Sequence, residues 1–575
     1  MTLDYQSTSA SKEPNRVVLI FASFFSACVI GISVGLFTVG FVGLVKDAEM
    51  WRVSGRADLE SLSLALFSYQ SVLLFGGMAV LIFIRRLFKV PRWHGPADVI
   101  YAAHSDISFL SIKTGGATIV SVFTSVLAGG SVGVYGPLVH LGALLSRLFH
   151  TVFRSTLFSQ NMLIGCGVAA AISAGFNAPI AGMIFAHEVV LRHFSMRALA
   201  PIAIASIASF SVSSWIFEDV RWLYLDIDVP SILPLSPGLL LAGLFFGLIA
   251  VIIIRAQIGV SGWAAKSGLS DWMLGGIAVS VCSIVGFFVP ESLGLGLAAI
   301  RDMLNLEFGL WALLILLITK IFLTAISTCL GFSLGIFSPA LFSGAAAGGV
   351  VAYCVGLFGL PVSVPIFMVC GMAALSGAVT GAPIAVMVII IEMTMSYELA
   401  VSTMIAVGTC SLITFSFGGH SLFDQQLLMR NINISGGRVA LRLSEMKIDI
   451  LAGKKYASVP EGITVESAAQ ILATNGYSEG YCLTASGELI GKINLQDLVR
   501  VPTGTLIESV LDKKPVQLIS GTSVGQAIET AADFVGEAMP VISETTGALI
   551  GVVSEADIFT AVLETQKLVT SLEKT

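Results

Sequence analysis

The sequence predicts an all-α polytopic membrane bundle followed by a smaller α/β soluble portion, and three observations predict it. Over 575 residues the chain is 55% hydrophobic and only 12% charged, with a mean hydropathy of +0.90, whereas soluble domains carry roughly 25% charge. From Ile321 to Ile391 there is no Asp, Glu, Lys or Arg, a run far longer than the ~20 residues that one crossing requires, so several crossings must pack against one another. Near Arg430 the apolar character ends. From about Ala440 charged and apolar residues mix, with strand-like runs at Tyr481–Leu483 and Ile490–Ile493. These shifts divide the chain into an N-terminal segment (1–16), a membrane portion (17–430), a linker (431–445) and a soluble tail (446–575).

Each element has its own signal. The opening segment is polar, carries Asp4 and Glu13, and lacks the pattern of a cleaved signal peptide. Lys12 and Arg16 precede the first apolar run and favour a cytoplasmic N-terminus. Eight cysteines stand singly, most of them inside apolar runs (Cys166, Cys329, Cys370), where a buried small hydrophobe is the ordinary role. No disulfide framework or cysteine metal site is expected. A net charge of −6 points away from a nucleic-acid partner. His187-Glu188 with His193 resembles a zinc-protease helix only superficially, because histidines six residues apart do not share a helix face.

Both portions contain a duplication. In the membrane portion, N-A-P-I-A at Asn177–Ala181 recurs as G-A-P-I-A at Gly381–Ala385, and Glu188 recurs as Glu392 at the same offset. The stretch G-V-Y-G-P-L-V-H-L-G-A (133–143) returns as G-I-F-S-P-A-L-F-S-G-A (335–345). In the tail, G-E-L-I-G at Gly487–Gly491 returns as G-A-L-I-G at Gly547–Gly551, and Asp497 as Asp557. Duplicated halves with Gly/Pro-interrupted apolar segments at matching places mark a transporter or channel whose site lies at the repeat interface. A helix that stops inside the membrane exposes unpaired N–H groups and the positive end of its dipole, and such backbone is tolerated only where it lines a cavity. Several such ends would hold an anion without a full positive charge. Small-residue packing breaks are the alternative for any single interruption.

These residues resemble the CLC chloride channel and transporter family across essentially the whole chain. G-V-Y-G-P (133–137) is similar to that family's G-[RK]-E-G-P motif and G-I-F-S-P (335–339) to its G-x-F-x-P motif. N-A-P-I-A-G-M-I-F-A-H-E-V (177–189) resembles the segment that follows, G-G-H-S-L-F-D-Q-Q-L-L-M-R (418–430) the last membrane helix, and the repeated tail a pair of CBS domains. The resemblance implies an antiparallel inverted repeat with broken helices. It implies a homodimer with one anion pathway per subunit, and backbone N–H groups of Ile336, Phe337 and the turn Val134–Gly136 facing the ion.

Departures from the family pattern carry the functional expectation. The gating glutamate of G-[RK]-E-G-P is Tyr135 here, with Val134 in the basic place. A phenol has a pKa near 10 and stays neutral at pH 7, so Tyr135 can donate to an anion or act as a steric gate but does not shuttle protons readily; an aromatic plug that only packs is the other reading. The family's inner proton-transfer glutamate falls on Val189. Glu188, matched by Glu392 across the repeat, reads as architectural, although an intramembrane carboxylate is a functional candidate. R-W-H-G-P-A-D (92–98) stands where the family has G-S-G-I-P, which puts His94 at the serine place, as an N–H donor or as a loop histidine beside Arg85, Arg86 and Lys89; Phe423 takes the tyrosine place. In the tail, Ser554 and Asp557 match the ribose motif S/T-x-x-D of CBS domains, while the first copy has Asn494 and Asp497. An ATP- or AMP-type nucleotide is the cofactor this implies, with a structural tail the alternative.

The expected function is passive movement of chloride or another small anion through a multi-pass protein in membrane lipid, as a homodimer, uncoupled from protons and without enzymatic activity. A bacterial inner membrane with the tail cytoplasmic is the expected location. Alternatives are a chloride/proton or fluoride/proton exchanger using other groups, and a nucleotide-sensing protein with a vestigial pathway. A CBS-bearing cation transporter is disfavoured because the membrane runs contain no cluster of acids.

Overall fold

The computed structural model describes residues 16–57, 63–105, 110–153, 160–194, 196–216, 232–434, 436–532 and 534–574. The N-terminal segment expected from the sequence lies outside these apart from Arg16. Two units emerge, Met1–Arg430 and Asn431–Thr575.

The first half of the membrane unit runs α1 (Arg16–Ala57), α2 (Ser63–Phe88), α3 (Pro96–His104), α4 (Ile112–Ala128), α5 (Tyr135–Phe153), α6 (Gln160–Phe176), α7 (Pro179–Phe185) and α8 (Met196–Ile216). The second runs α9 (Ile232–Lys266), α10 (Asp271–Phe288), α11 (Leu297–Leu304), α12 (Leu310–Leu330), α13 (Phe337–Leu357), α14 (Val364–Thr380), α15 (Pro383–Thr394) and α16 (Tyr397–Gly418), closed by the short α17 (Leu422–Leu428). Among the described residues 8 helices are long and apolar enough to cross a membrane. The shorter ones are the interrupted elements that the Gly/Pro pattern predicts.

The duplicated N/G-A-P-I-A sequence is one structural device used twice. α6 ends at Phe176 and Asn177 takes φ +55°; α14 ends at Thr380 and Gly381 takes φ +74°. Asn and Gly are the residues that enter the left-handed region at least cost. The proline two places on opens the next helix, Pro179 for α7 and Pro383 for α15, where its missing N–H has no partner to lose. α7 then continues into a π-helical turn at Ala186–Leu191.

The soluble unit repeats a three-stranded plan. β1 (Ala457–Pro460) pairs parallel with β2 (Glu479–Leu483), which pairs antiparallel with β3 (Leu489–Asn494). β4 (Leu518–Ile519), β5 (Met539–Ile542) and β6 (Leu549–Val553) do the same. Each copy has its own apolar core, one around Val459, Leu472 and Ile493, the other around Ile448, Leu518 and Val541. The two G-x-L-I-G hairpins meet reciprocally: Leu489 N–H donates to the Gly547 carbonyl (3.1 Å) and Leu549 N–H to that of Gly487 (3.0 Å). The 431–445 stretch, expected as a linker, carries the helix Gly437–Glu445, whose Leu443 enters the second core.

Candidate functional site

The two Gly/Pro-interrupted segments of the repeat touch. Gly133 N–H donates to the Gly335 carbonyl (2.8 Å), and a Cβ added at Gly335 would fall on the Gly133 carbonyl. Only glycine permits this approach. Gly335→Ala is therefore expected to abolish recovery of folded protein, read as loss of the monodisperse peak in gel filtration, because overpacking against backbone has no flexible side chain to yield.

From this junction the chain leaves as the first turns of α5 and α13. Those turns, with the starts of α3 and α17, open on one partly open cavity, lined by Gly95 and Pro96, Tyr135 and Gly136, Ile336 and Phe337, and Leu422 and Phe423 among others. No side chain caps the start of α13, so its leading amides and dipole present positive potential to the cavity. The residues lining the cavity include no Asp, Glu, Lys, Arg or His. Whatever attracts an ion there is backbone, hydroxyl and amide.

Of the sequence-expected positions, Tyr135, Gly136, Ile336, Phe337 and Phe423 line the cavity; His94 and Val134 do not. Tyr135 is 3% exposed. Its ring stacks on Phe176 (centroids 3.8 Å apart, planes at 15°) and meets Phe337 edge-on at 5.5 Å, while Phe176 and Phe337 meet at 5.2 Å. Three aromatic rings thus stand where the helix ends converge. Val134 is buried and its carbonyl accepts from Leu138 N–H (3.1 Å).

His94 sits one residue behind the cavity wall at Gly95. Its ring lies perpendicular to that of His140, 5.4 Å between centroids, and its backbone N–H donates to the Thr118 hydroxyl (3.2 Å). His140 is fully buried, with neither ring nitrogen hydrogen-bonded among the described residues. Asp98, in the same turn, is gripped by both guanidinium nitrogens of Arg92 (2.5 and 3.0 Å), by Arg430 (2.9 Å) and by Gly95 N–H (2.8 Å). Its charge is spent inside this cluster, and the two arginines leave an excess positive charge beside the cavity.

Sequence reasoning missed the polar lining. Gln257 on α9, Thr328 on α12, Thr380 on α14 and Gln426 on α17 all face the cavity. The Gln257 amide oxygen lies 2.9 Å from the Thr328 hydroxyl and 3.2 Å from the Cys329 thiol. With the oxygen so engaged, the amide NH2 is the group left to donate into the cavity. A glutamine inside the apolar run of α9 was the available signal.

Glu188 and Glu392 lie away from the cavity and cap each other's half. The Glu188 carboxylate accepts from Ile384 and Ala385 N–H (2.9 and 2.7 Å), at the start of α15; Glu392 accepts from Ile180 and Ala181 N–H (2.9 and 2.8 Å), at the start of α7. Val189 is buried in the π-helical turn. Among the described residues no cluster of His, Cys, Asp or Glu could hold a metal. In the tail, Asp557 accepts from Ser554 through both its hydroxyl (2.6 Å) and N–H (2.9 Å), which caps the helix Glu555–Lys574. Asn494 donates to Asp497 over 3.4 Å.

The family model of the voltage gated chloride channel matches residues 76–414, spanning both halves of the repeat and all of the cavity lining except the α17 residues Leu422, Phe423 and Gln426. The chain belongs to the voltage gated chloride channel family. Members of this family are transporters or channels rather than enzymes. A CBS domain model matches residues 507–564, the second tail copy. A chloride-channel-family relative, "Putative chloride channel protein ClcB-like" of Ralstonia nicotianae, is 29% identical over 421 residues, covering 70% of this chain and 95% of that one. Among solved structures, a slow cyanobacterial Cl−/H+ antiporter superposes with a TM-score of 0.65 at 21% identity, over 71% of this chain and 97% of its own. A eukaryotic CLC transporter superposes at 0.64 and 18%, over 94% and 98%. These structural likenesses establish the chloride-channel-family fold, multi-pass and mostly helical, with the CBS tail included in the second.

Proposed function

We propose that this protein moves chloride or a similar small anion passively across a membrane, without proton coupling. The observation that carries the reading is the cavity at the helix starts, lined by the ring of Tyr135 and by no carboxylate. Electrodiffusion then runs past backbone N–H groups and the Gln257 amide, and rearrangement of Tyr135 gates it. Proton hopping lacks a group at the two places where exchangers of this family keep glutamates, Tyr135 and Val189. The test is anion efflux from liposomes containing the purified protein, with external pH followed at the same time. Chloride efflux without stoichiometric proton movement is expected; matched proton movement overturns the uncoupled reading, and flux of fluoride or nitrate in place of chloride reassigns the ion.

Gln257→Leu is expected to slow efflux roughly tenfold, since a hydrogen bond to a charged partner contributes about 1.5 kcal/mol or more. Unchanged efflux would remove Gln257 from the pathway. His94 acts here from the second layer, through the Gly95 turn.

A homodimer fits the same fold. Glu188 and Glu392 are half-exposed on an apolar surface flanked by Ile180 and Ile384, and carboxylates facing lipid are costly; a second copy covering them relieves that cost. The tail is assigned to the cytoplasmic side of a bacterial inner membrane, with Ser554 and Asp557 as the nucleotide-binding pair and Asp497 its weaker counterpart. Adenine nucleotide altering efflux in the intact protein, but not after Asp557→Ala, is the expected result; the capping hydrogen bonds of Asp557 also fit a purely structural tail, which nucleotide-insensitive efflux would favour.

A further inference from the structure

A second cavity, apart from the pathway, is built from arginines. It is a small, partly open pocket between the end of α1, the start of α2, the end of α4 and the turn before α11, lined by Arg52, Arg56, Tyr69, Gln70, Gly129 and Leu293 among others. Arg52 and Gln70 are each 8% exposed. Among the described residues the Arg52 and Arg56 Nε and the Gln70 Nε2 have no hydrogen-bond partner. Among the described residues the carboxylate paired with Arg52 is Glu49, which approaches it only to 3.8 Å and accepts from Leu295 N–H at 3.1 Å. The fully buried Lys320 amine nearby donates to the Ser292 and Gly294 carbonyls (3.0 and 2.9 Å). Among the described residues, two lining arginines thus share one carboxylate. Buried guanidinium and amide donors left unmade carry a cost that a bound anion removes.

We infer that this cavity binds an oxyanion of the phosphate type. Guanidinium forks match paired oxygens better than a spherical halide, and the lining donors come from two helices, Arg52 and Arg56 from α1 and Gln70 from α2. The inference is independent of the transport reading, since none of these residues lines the pathway cavity. Free phosphate and a phospholipid headgroup offer the same chemistry; Trp51 and Tyr69, with rings 6.5 Å apart, are the amphipathic residues typical of the headgroup level.

The test is the thermal unfolding midpoint of the full-length, delipidated protein in detergent, titrated at constant ionic strength with inorganic phosphate and, separately, with short-chain phosphatidic acid. A ligand that binds the folded state raises the midpoint in proportion to its occupancy. A rise with phosphate that is weakened at least tenfold in apparent affinity by Arg52→Gln or Arg56→Gln, and untouched by Lys266→Gln on the exposed end of α9, supports a free oxyanion. The same pattern with phosphatidic acid alone supports a headgroup. If Arg52→Gln fails to fold, the half-exposed Arg56→Gln carries the comparison, with Arg52→Lys expected to weaken binding because it keeps charge and loses the fork. Identical midpoints in wild type and variants with both ligands overturn the assignment.

Discussion

Tyr135→Ala is expected to raise chloride efflux roughly ten- to hundredfold per folded protein. The ring is held in place by one stacked and one edge-on aromatic contact, with Phe176 and Phe337, each contributing about 0.5–1.5 kcal/mol beyond simple burial. A gate that must break both carries an added barrier of about 1–3 kcal/mol, and each 1.4 kcal/mol is a factor of ten in rate. Tyr135→Phe separates ring from hydroxyl: closed-gate behaviour retained in the phenylalanine variant assigns the gate to the ring, and a fall in open-state flux assigns the hydroxyl a donor role. Tyr135→Glu places a carboxylate there, so efflux is expected to rise on acidification as protonation removes a charge that competes with the anion. Liposome efflux at graded pH reads all three variants. If Tyr135→Ala leaves flux unchanged while lowering stability, the tyrosine only packs.

Glu188→Ala is expected to destabilise the membrane unit by about 2–4 kcal/mol. Two backbone N–H groups at the start of α15 lose a charged acceptor, and hydrogen bonds to charged groups contribute about 1.5–3 kcal/mol each, reduced because the carboxylate is half-exposed. Glu392→Ala should cost a similar amount at the start of α7. Denaturant unfolding in mixed micelles measures both, and Glu188→Gln, which keeps one acceptor oxygen, should recover about half. An architectural role predicts that the pH dependence of efflux stays the same in all of these variants. A glutamine variant that is stable yet changes that dependence would make Glu188 part of the transport chemistry.

What the sequence exposed most clearly were positions where backbone geometry leaves few choices of residue. Asn177 and Gly381 had to be residues tolerant of positive φ, and the prolines two places on had to open helices, so the repeat was readable as letters. Gly133 and Gly335 were visible for the same reason: no side chain fits where the two turns meet. Tyr135, Ile336 and Phe337 line the cavity because they follow directly from those turns. His94 was placed at its wall and stands one residue behind it, since a one-residue change of position on the Gly95 turn redirects a side chain entirely. Gln257, Thr328, Thr380 and Gln426 were not legible, because each comes from a different helix and no local motif links them.

By itself, then, the sequence determined a duplicated membrane bundle with broken helices and a duplicated α/β tail, with Tyr135 beside the first interruption, since periodicity, interruption and residue type are local properties. Only the tertiary structure decided which distant groups share a space: the reciprocal capping by Glu188 and Glu392, the aromatic closure by Phe176, the amide of Gln257, and the arginine cavity of Arg52 and Arg56. Those depend on helix packing across hundreds of residues, where each side chain's partner is set by the fold and not by its neighbours in the chain.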